Sequence, residues 1–521
     1  MKAVLRSRFG RLALVAMLAA AVVNTPGVSA ARIDNPLAQD LDTILGAPQL
    51  AGSDIGLVVR RADTGETLYT RAGDRRRQPA SNVKLLTLAG ALEVLGPDHR
   101  FTTSVSHRGI RVGATLSGDL YLTGGGDPTT LAADYDRLAA EVAASGIRLV
   151  RGKLIADDGF FDGVRLGTGW AWDDEPFYYS AQTSGLTIAP DTDFDSGSVV
   201  VKVSPGAEGA SARVDVVPPN RYVRVVNSAV TGRAGGSPTV TVDREHGGNT
   251  FTVTGSIPSG AAPVSSYLAV WEPTGLAASV FLDALARHGI RVAGGHKTGV
   301  TPPGTRELAR RDSMPLSELA KPFVKLSNNM HAEALVKAAG RKSGRTGSWK
   351  DGQAAISDAL RGLGLDPVRL SVVDGSGLSR MDQVSPEQLS SLLIVAGNEP
   401  WAAHFAAALP VAGAADRLVG GTLRNRMRGT VAEGKVRAKT GSLTGVSSLS
   451  GYVTAADGTE LVFSMIGNQL LGVNAKQVED AVAIRLAQYT AAGTERFPSV
   501  QDLSRGDNPA RDLECSWLKA C

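Results

Sequence analysis

Strand-forming sequence lies at both ends of this 521-residue chain, and that placement constrains the fold more than any other feature. Residues 55–71, "IGLVVRRADTGETLYTR", read as a β-hairpin about a "DTGE" turn. Three late β runs, "GKVRAKTG", "SSLSGYVTA" and "ELVFSMIGN", are followed by a helical stretch at about 474–492. The two early strands, three late strands and terminal helix predict one antiparallel sheet backed by helices. The middle of the chain is then an insertion.

That middle changes texture along its length. From 100 to about 270 it is strand-rich, with "DLYLTGGGDPTTL" leading into a helix near 130–145. Five short β runs between 196 and 262, such as "SVVVKVS" and "FTVTGSI", are joined by Gly, Pro and Ser turns, which suggests a small all-β module. Helical periodicity returns at 273–289, 315–341, 351–363 and 386–397. A chain this long is expected to hold two or three domains.

The first thirty residues carry Lys2, Arg6, Arg8 and Arg11, then "LALVAMLAAAVV", then "VSA" before Ala31. This is the pattern of a secretory signal cleaved after Ala30. The apolar run falls short of the ~20 residues a membrane span requires. Losing the leader takes the formal net charge from +4 to about zero, so nothing points to nucleic acid. The two cysteines, Cys515 and Cys521, stand so near the end that a disulfide between them would close only a small tail loop. The mature protein is expected to be soluble and outside the cytoplasm.

Within "QPASNVKLLT" a serine precedes a lysine by one helical turn, on a helix expected over Ser81–Leu95. Residues three apart share a helix face, so Ser81 and Lys84 present hydroxyl and amine together. Free backbone N–H groups at a helix start can stabilise an oxyanion. A lysine kept from water can take a serine proton and make it a nucleophile. The plain alternative is a capping serine beside a solvated lysine.

Two further elements decide between these. "KLSNNMHAEAL" holds Ser327, Asn328 and Asn329 between helical segments, and "VRAKTGSLTGV" holds Lys439, Thr440 and Gly441 on a β run. S-x-x-K, S-x-N and K-T-G in this order form the motif set of penicillin-binding proteins and class A β-lactamases. A second K-T-G at 297–299 comes before the S-x-N triplet, and the K-S-G at 342–344 reads as a helix end with a glycine stop. "SWLK" at 516–519 lacks a helix after it and is discarded.

With these motifs the chain resembles the exported class C low-molecular-mass penicillin-binding proteins, D-alanyl-D-alanine carboxypeptidase/endopeptidases of the DacB type. The resemblance extends to "YLTGGGDPTTL", "DGSGLSR" at 374–380 and "GTLRNRM" at 421–427, and to the long stretch between Lys84 and Ser327, which β-lactamases lack. It implies an α+β fold: a penicillin-binding/β-lactamase-like transpeptidase domain, with a five-stranded antiparallel sheet and helices on both sides, carrying two inserted strand-rich domains. After the signal at 1–30, the catalytic domain would comprise 31–99 and 302–492. Inserted domain II would comprise 100–190 and 263–301, inserted domain III 191–262, and the tail 493–521.

The resemblance also assigns roles. Ser81 would attack the penultimate D-alanine carbonyl of a peptidoglycan stem peptide and release the terminal D-alanine, with Lys84 as its base. Ser327 would relay a proton to the leaving amine, and Asn329 would hold the substrate amide and order Lys84. Lys439 and Thr440 would bind the terminal carboxylate, with Gly441, Ser442 and Leu443 alongside, and the N–H groups of Ser81 and Ser442 would form the oxyanion hole. Water would then hydrolyse the ester with no metal or organic cofactor. Endopeptidase cleavage of cross-links, inhibition by β-lactam antibiotics and a wall-associated, secreted location belong to the same implication. The alternatives are a β-lactamase or esterase on this scaffold, against which the long insertion speaks, and a non-catalytic wall-binding protein, against which the intact motifs speak.

The acidic, aromatic stretch "GWAWDDEPFYYS" at 169–180 reads either as a packed loop or as an overhang of the cleft. In the second reading Trp170, Asp173 and Tyr178 meet substrate, and Asp173 pairs with the free amine of the stem peptide. Asp374 is expected to fix a turn, while Arg424 and Arg426 receive no role.

Overall fold

The computed structural model describes residues 36–367, 370–491 and 519. The expected leader and the cysteine pair lie outside these residues. Among the described residues no helix is long and apolar enough to cross a membrane.

The two ends of the chain do build one sheet. Its strands are β1 (Asp54–Arg61), β2 (Thr67–Arg71), β3 (Val436–Leu443), β4 (Val446–Thr454) and β5 (Glu460–Asn468), in the order β2-β1-β5-β4-β3 and antiparallel throughout. The two-residue period of a strand sends alternate side chains to opposite faces. Along β5, Leu461, Phe463 and Met465 enter one core, while Val462 and Ile466 enter another. The first core is closed by α1 (Pro36–Leu45) and the C-terminal helix Ala475–Ala487.

The second core is helical. It holds α2 (Val83–Leu95), α3 (Leu316–Lys325), α4 (Asn329–Lys342), α5 (Trp349–Gly362) and α6 (Pro386–Ala396). Every residue of α2 except Glu93 and Val94 is buried, as expected of a helix that is apolar on all sides. The helical stretch expected over 315–341 is broken at Leu326–Asn328, where Ser327 adopts a left-handed φ of 57°. α4 ends at Lys342 with Gly344 at φ 74°, so the K-S-G there is a helix stop.

The inserted stretch carries a mixed five-stranded sheet, in which Leu154–Asp157 and Leu120–Gly124 are central and Arg306–Asp312 is an edge strand. The β-rich part contains more strands than the five runs expected, because Val230–Gly232 and Ser256–Pro258 pair separately as a short parallel ladder. Val264–Ala269 pairs with Ser198–Ser204, so this strand system continues beyond residue 262. One hydrophobic core joins both strand-rich parts through Leu122, Leu154, Val201, Phe251 and Phe281. Lys297 and Thr298 of the other K-T-G lie on an exposed edge strand of the inserted sheet, His296–Thr298, and Gly299 follows it. Arg426 pairs with Glu479 at 3.0 Å and Asp480 at 2.7 Å, and so braces the C-terminal helix.

Candidate active site

Ser81 lies in a 3-10 turn, Ala80–Asn82, immediately ahead of α2, which starts two residues later than the sequence suggests. The turn is fastened to the sheet. Asn82 Nδ2 donates to Lys439 O at 3.2 Å and Ser448 Oγ at 2.6 Å, while Ser448 Oγ donates to Pro79 O at 2.7 Å. Gly441 is needed for this approach: a Cβ there would fall 2.3 Å from Ser448 Oγ and 2.9 Å from Pro79 O.

Lys84 is fully buried, and its Nζ lies 2.8 Å from Ser81 Oγ, 2.7 Å from Asn329 Oδ1 and 2.8 Å from Ser376 O. Two of these three partners are carbonyl oxygens, which can only accept. A neutral amine has two N–H bonds and one lone pair. With both N–H bonds given to the carbonyls, its lone pair faces the Ser81 hydroxyl, which can give a proton to it.

A second lysine sits across the turn that carries Ser327. Lys439 Nζ donates to Ser327 Oγ at 2.9 Å and to Thr440 O at 2.6 Å. Thr440 Oγ1 donates to Thr422 Oγ1 at 2.8 Å. Each residue of Ser327–Asn329 has its own task. Ser327 meets Lys439, and Asn328 caps α4 by accepting from His331 N at 3.1 Å. Asn329 reaches Lys84 through Oδ1 and gives its Nδ2 to Tyr179 O at 2.7 Å.

β3 is the sheet edge beside the Ser81 turn. Ala438 N–H points off that edge, to Pro410 O at 3.0 Å. By the alternation of an antiparallel strand, the N–H groups of Thr440 and Ser442 face the same way. Ser81, Lys84, Ser327, Asn329, Lys439, Thr440 and Ser442 are all buried. Leu443 packs with Ala80, Leu378 and Val446 under Trp170 and Tyr179.

The 169–180 loop is anchored at Trp170 and at Glu175. Trp170 Nε1 donates to Asp374 Oδ2 at 2.9 Å, an anchoring contact. Glu175 is buried against Arg244 and meets His246 at 2.9 Å, which ties the loop to the inserted strands. Tyr178 lines a pocket shared with Ser327, Asn328 and Asn329. Asp173 is exposed. Burial raises the Asp174 carboxyl above its ordinary value, and Asp173 adds to this.

Sequence reasoning missed the support around Lys84. Glu333 stands one turn after Asn329 on α4 and accepts from Ser376 N at 2.9 Å, Gly375 N at 2.9 Å and Trp349 Nε1 at 2.7 Å. It thereby holds the peptide whose Ser376 carbonyl touches Lys84. Burial, reinforced by Asp374, pushes its carboxyl well above the ordinary carboxylate range. Asp374 fixes the turn as expected, accepting from Gly377 N and Ser379 N, each at 2.7 Å. The one available signal was the four-residue spacing of Asn329 and Glu333.

A family model described as D-Ala-D-Ala carboxypeptidase 3 (S13) matches residues 37–489. The chain belongs to that family. It is 47% identical over 489 residues to a D-alanyl-D-alanine carboxypeptidase of Actinomadura sp. (strain R39), covering 93% of this chain and 90% of the relative. It is 27% identical over 418 residues to D-alanyl-D-alanine carboxypeptidase DacB of Haemophilus influenzae, covering 79% and 85%. The crystal structure of penicillin binding protein 4 (dacB) from Haemophilus influenzae shares the fold with a TM-score of 0.75 at 24% identity, covering 86% of this chain and 100% of that one. The expected family, α+β fold and serine carboxypeptidase class therefore hold.

Proposed function

We propose that the chain removes the terminal D-alanine of peptidoglycan stem peptides by forming an ester on Ser81. The observation that carries this reading is the Lys84 geometry, with its two carbonyl partners and the Ser81 hydroxyl at 2.8 Å. Lys84 takes the Ser81 proton as Oγ bonds to the carbonyl carbon of the penultimate D-alanine. The oxyanion is held by the N–H groups of Ser81 and Ser442. As the C–N bond breaks, the proton that Lys84 took from Ser81 passes through the Ser327 hydroxyl to the leaving amine, which returns Lys84 to its neutral form. Because Ser327 Oγ accepts from Lys439, its own O–H is available to point into the cleft. Water then adds to the ester, Lys84 takes its proton, and Ser81 leaves with that proton restored.

Lys439, with Thr440 beside it, binds the terminal carboxylate through a charge-assisted contact. The same acyl step would cleave a cross-link whose leaving amine carries a carboxylate. β-Lactams enter as acylating inhibitors, and a structure of the Haemophilus influenzae protein is complexed with a novel beta-lactam. The charged, apolar and small-residue pattern of the first thirty residues supports an extracytoplasmic, wall-associated location. The reading keeps a discontinuous catalytic domain with two insertions, but moves the end of the β module to about residue 270, where its last paired strand ends, and the return to the catalytic domain from 302 to after Asp312, because Arg306–Asp312 pairs with Thr102–His107 in the inserted sheet.

Two acidic positions can meet a stem-peptide amine: exposed Asp173 and the buried pair considered below. The activity is tested by D-alanine release from a peptide ending in D-alanyl-D-alanine. Wild type releases it and Ser81→Ala does not; equal release by both would sink the reading.

A further inference from the structure

Lys519 is the described residue of the C-terminal tail, and its side chain is seated beside the Ser327–Asn329 turn. Its Nζ meets Asp193 Oδ2 at 3.0 Å and also donates to the Asp195 carboxylate. The ammonium lies 4.6 Å from the centre of the Tyr178 ring and 4.5 Å from that of Tyr267. These partners come from three separate segments: the 169–180 loop, the strand Val264–Ala269 and the loop ahead of Ser198–Ser204. Two carboxylates and two aromatic faces together make a receptor for a desolvated primary ammonium.

The charges fit one such group. Arg417 already pairs with Asp193, at 2.7 Å through Nη2, so Lys519 answers chiefly to Asp195. Asp195 is buried and accepts from Asn328 Nδ2 at 3.1 Å. Burial pushes its carboxyl up to about 6 even with Lys519 beside it. A carboxylate so enclosed is costly without a cation. Asp191, Asp193 and Asp195 bring one oxygen each within 4.8 Å of one another. Arg417 and Lys519 already supply the positive charge that a divalent ion would bring.

We propose that Asp193, Asp195, Tyr178 and Tyr267 form a primary-ammonium site at the edge of the cleft, which the chain's own Lys519 fills in competition with the amine of an incoming peptide. The site stands on its own contacts, and only the identity of the peptide rests on the carboxypeptidase reading. Lys519 is then an internal competitor for amine-bearing substrates.

The test uses the full chain as wild type, Lys519→Gln, and Lys519→Gln with Asp195→Asn, titrated with n-butylammonium by calorimetry at pH 8. Lys519→Gln binds at least tenfold more tightly than wild type, and the double variant loses that gain. Should Asp195→Asn fail to fold, Tyr267→Leu takes its place. Equal affinity in wild type and Lys519→Gln overturns the proposal. So does uptake of calcium, but not butylammonium, by Lys519→Gln.

A second readout is D-alanine release from a peptide whose lysine, next to D-alanyl-D-alanine, is free or Nε-acetylated. Lys519→Gln lowers KM several-fold for the free-amine peptide alone, and an equal change on both peptides overturns the proposal. Asp173→Asn in the Lys519→Gln background separates the two acidic positions: an intact free-amine preference supports the buried site, and its loss overturns it. If wild type releases D-alanine from neither peptide while the butylammonium pattern holds, the carboxypeptidase reading fails and the ammonium site stands.

Discussion

Gly377 packs directly on Ala80, the residue before Ser81: a Cβ on Gly377 would fall 1.9 Å from the Ala80 carbonyl oxygen. Both residues are left-handed, at φ 81° and 48°. Such strain persists only where surrounding structure imposes it. Here it sets the entry angle of the 3-10 turn that presents Ser81. Gly377→Ala is predicted to cost at least ~2 kcal/mol and to slow acylation by penicillin. Urea unfolding together with an acylation time course checks both, and a variant as stable and as fast as wild type contradicts the account.

Lys84→Ala removes the proton acceptor but leaves the Ser81 turn in place. Acylation should slow by about 10²–10⁴-fold, the usual range for a positioned base, and should recover in part as pH is raised and hydroxide substitutes. Stopped-flow measurement with a chromogenic β-lactam reads this, with circular dichroism as the check on folding. A loss of less than tenfold would assign the base elsewhere.

Lys439→Ala tests carboxylate recognition. A charge-assisted contact of this kind contributes about 1.5–3 kcal/mol, so kcat/KM on a peptide with a free C-terminal carboxylate should fall by about 10–100-fold. Against the same peptide ending in an amide, the preference shown by wild type should vanish. If the preference survives, Lys439 acts only through Ser327.

His331 is buried on α4, and its Nε2 meets Phe194 O at 3.1 Å. Burial depresses its pKa to about 3. A folded-state value below the unfolded one favours the neutral ring, so stability is present above about 6.5 and is lost as pH falls toward 3. His331→Gln keeps a donor for Phe194 O and does not titrate. The stability of wild type relative to this variant should therefore decline between pH 6.5 and 3, by at most on the order of 4 kcal/mol. Thermal unfolding across that range measures it, and a pH-independent difference would contradict the burial argument.

The parts of the site that were legible in the sequence are those that chemistry confines to a few adjacent residues. Ser81 and Lys84 must share a helix face, and Lys439 with Thr440 must lie on a strand edge, so short motifs record them. The strands at the two chain ends were legible because alternation and turn residues are local. The supporting groups were not. Ser376, Thr422 and Asp195 reach the site from distant segments, and only folding brings Ser376 O to Lys84 or Thr422 to Thr440, while Glu333 was marked only by its four-residue spacing from Asn329. Nor did the extension of the β module show, because Val264–Ala269 looks the same whether it pairs with Ser198–Ser204 or with another strand. The discarded "SWLK" supplies no nucleophile in this account, yet its lysine is the tail residue seated beside the cleft.

Ser81 as the acylated residue is tested most directly by intact-protein mass spectrometry after incubation with penicillin, on wild type and Ser81→Ala. The account predicts one adduct of a single penicillin mass on wild type and none on the variant. An adduct of the same mass on Ser81→Ala would place the nucleophile elsewhere and contradict it.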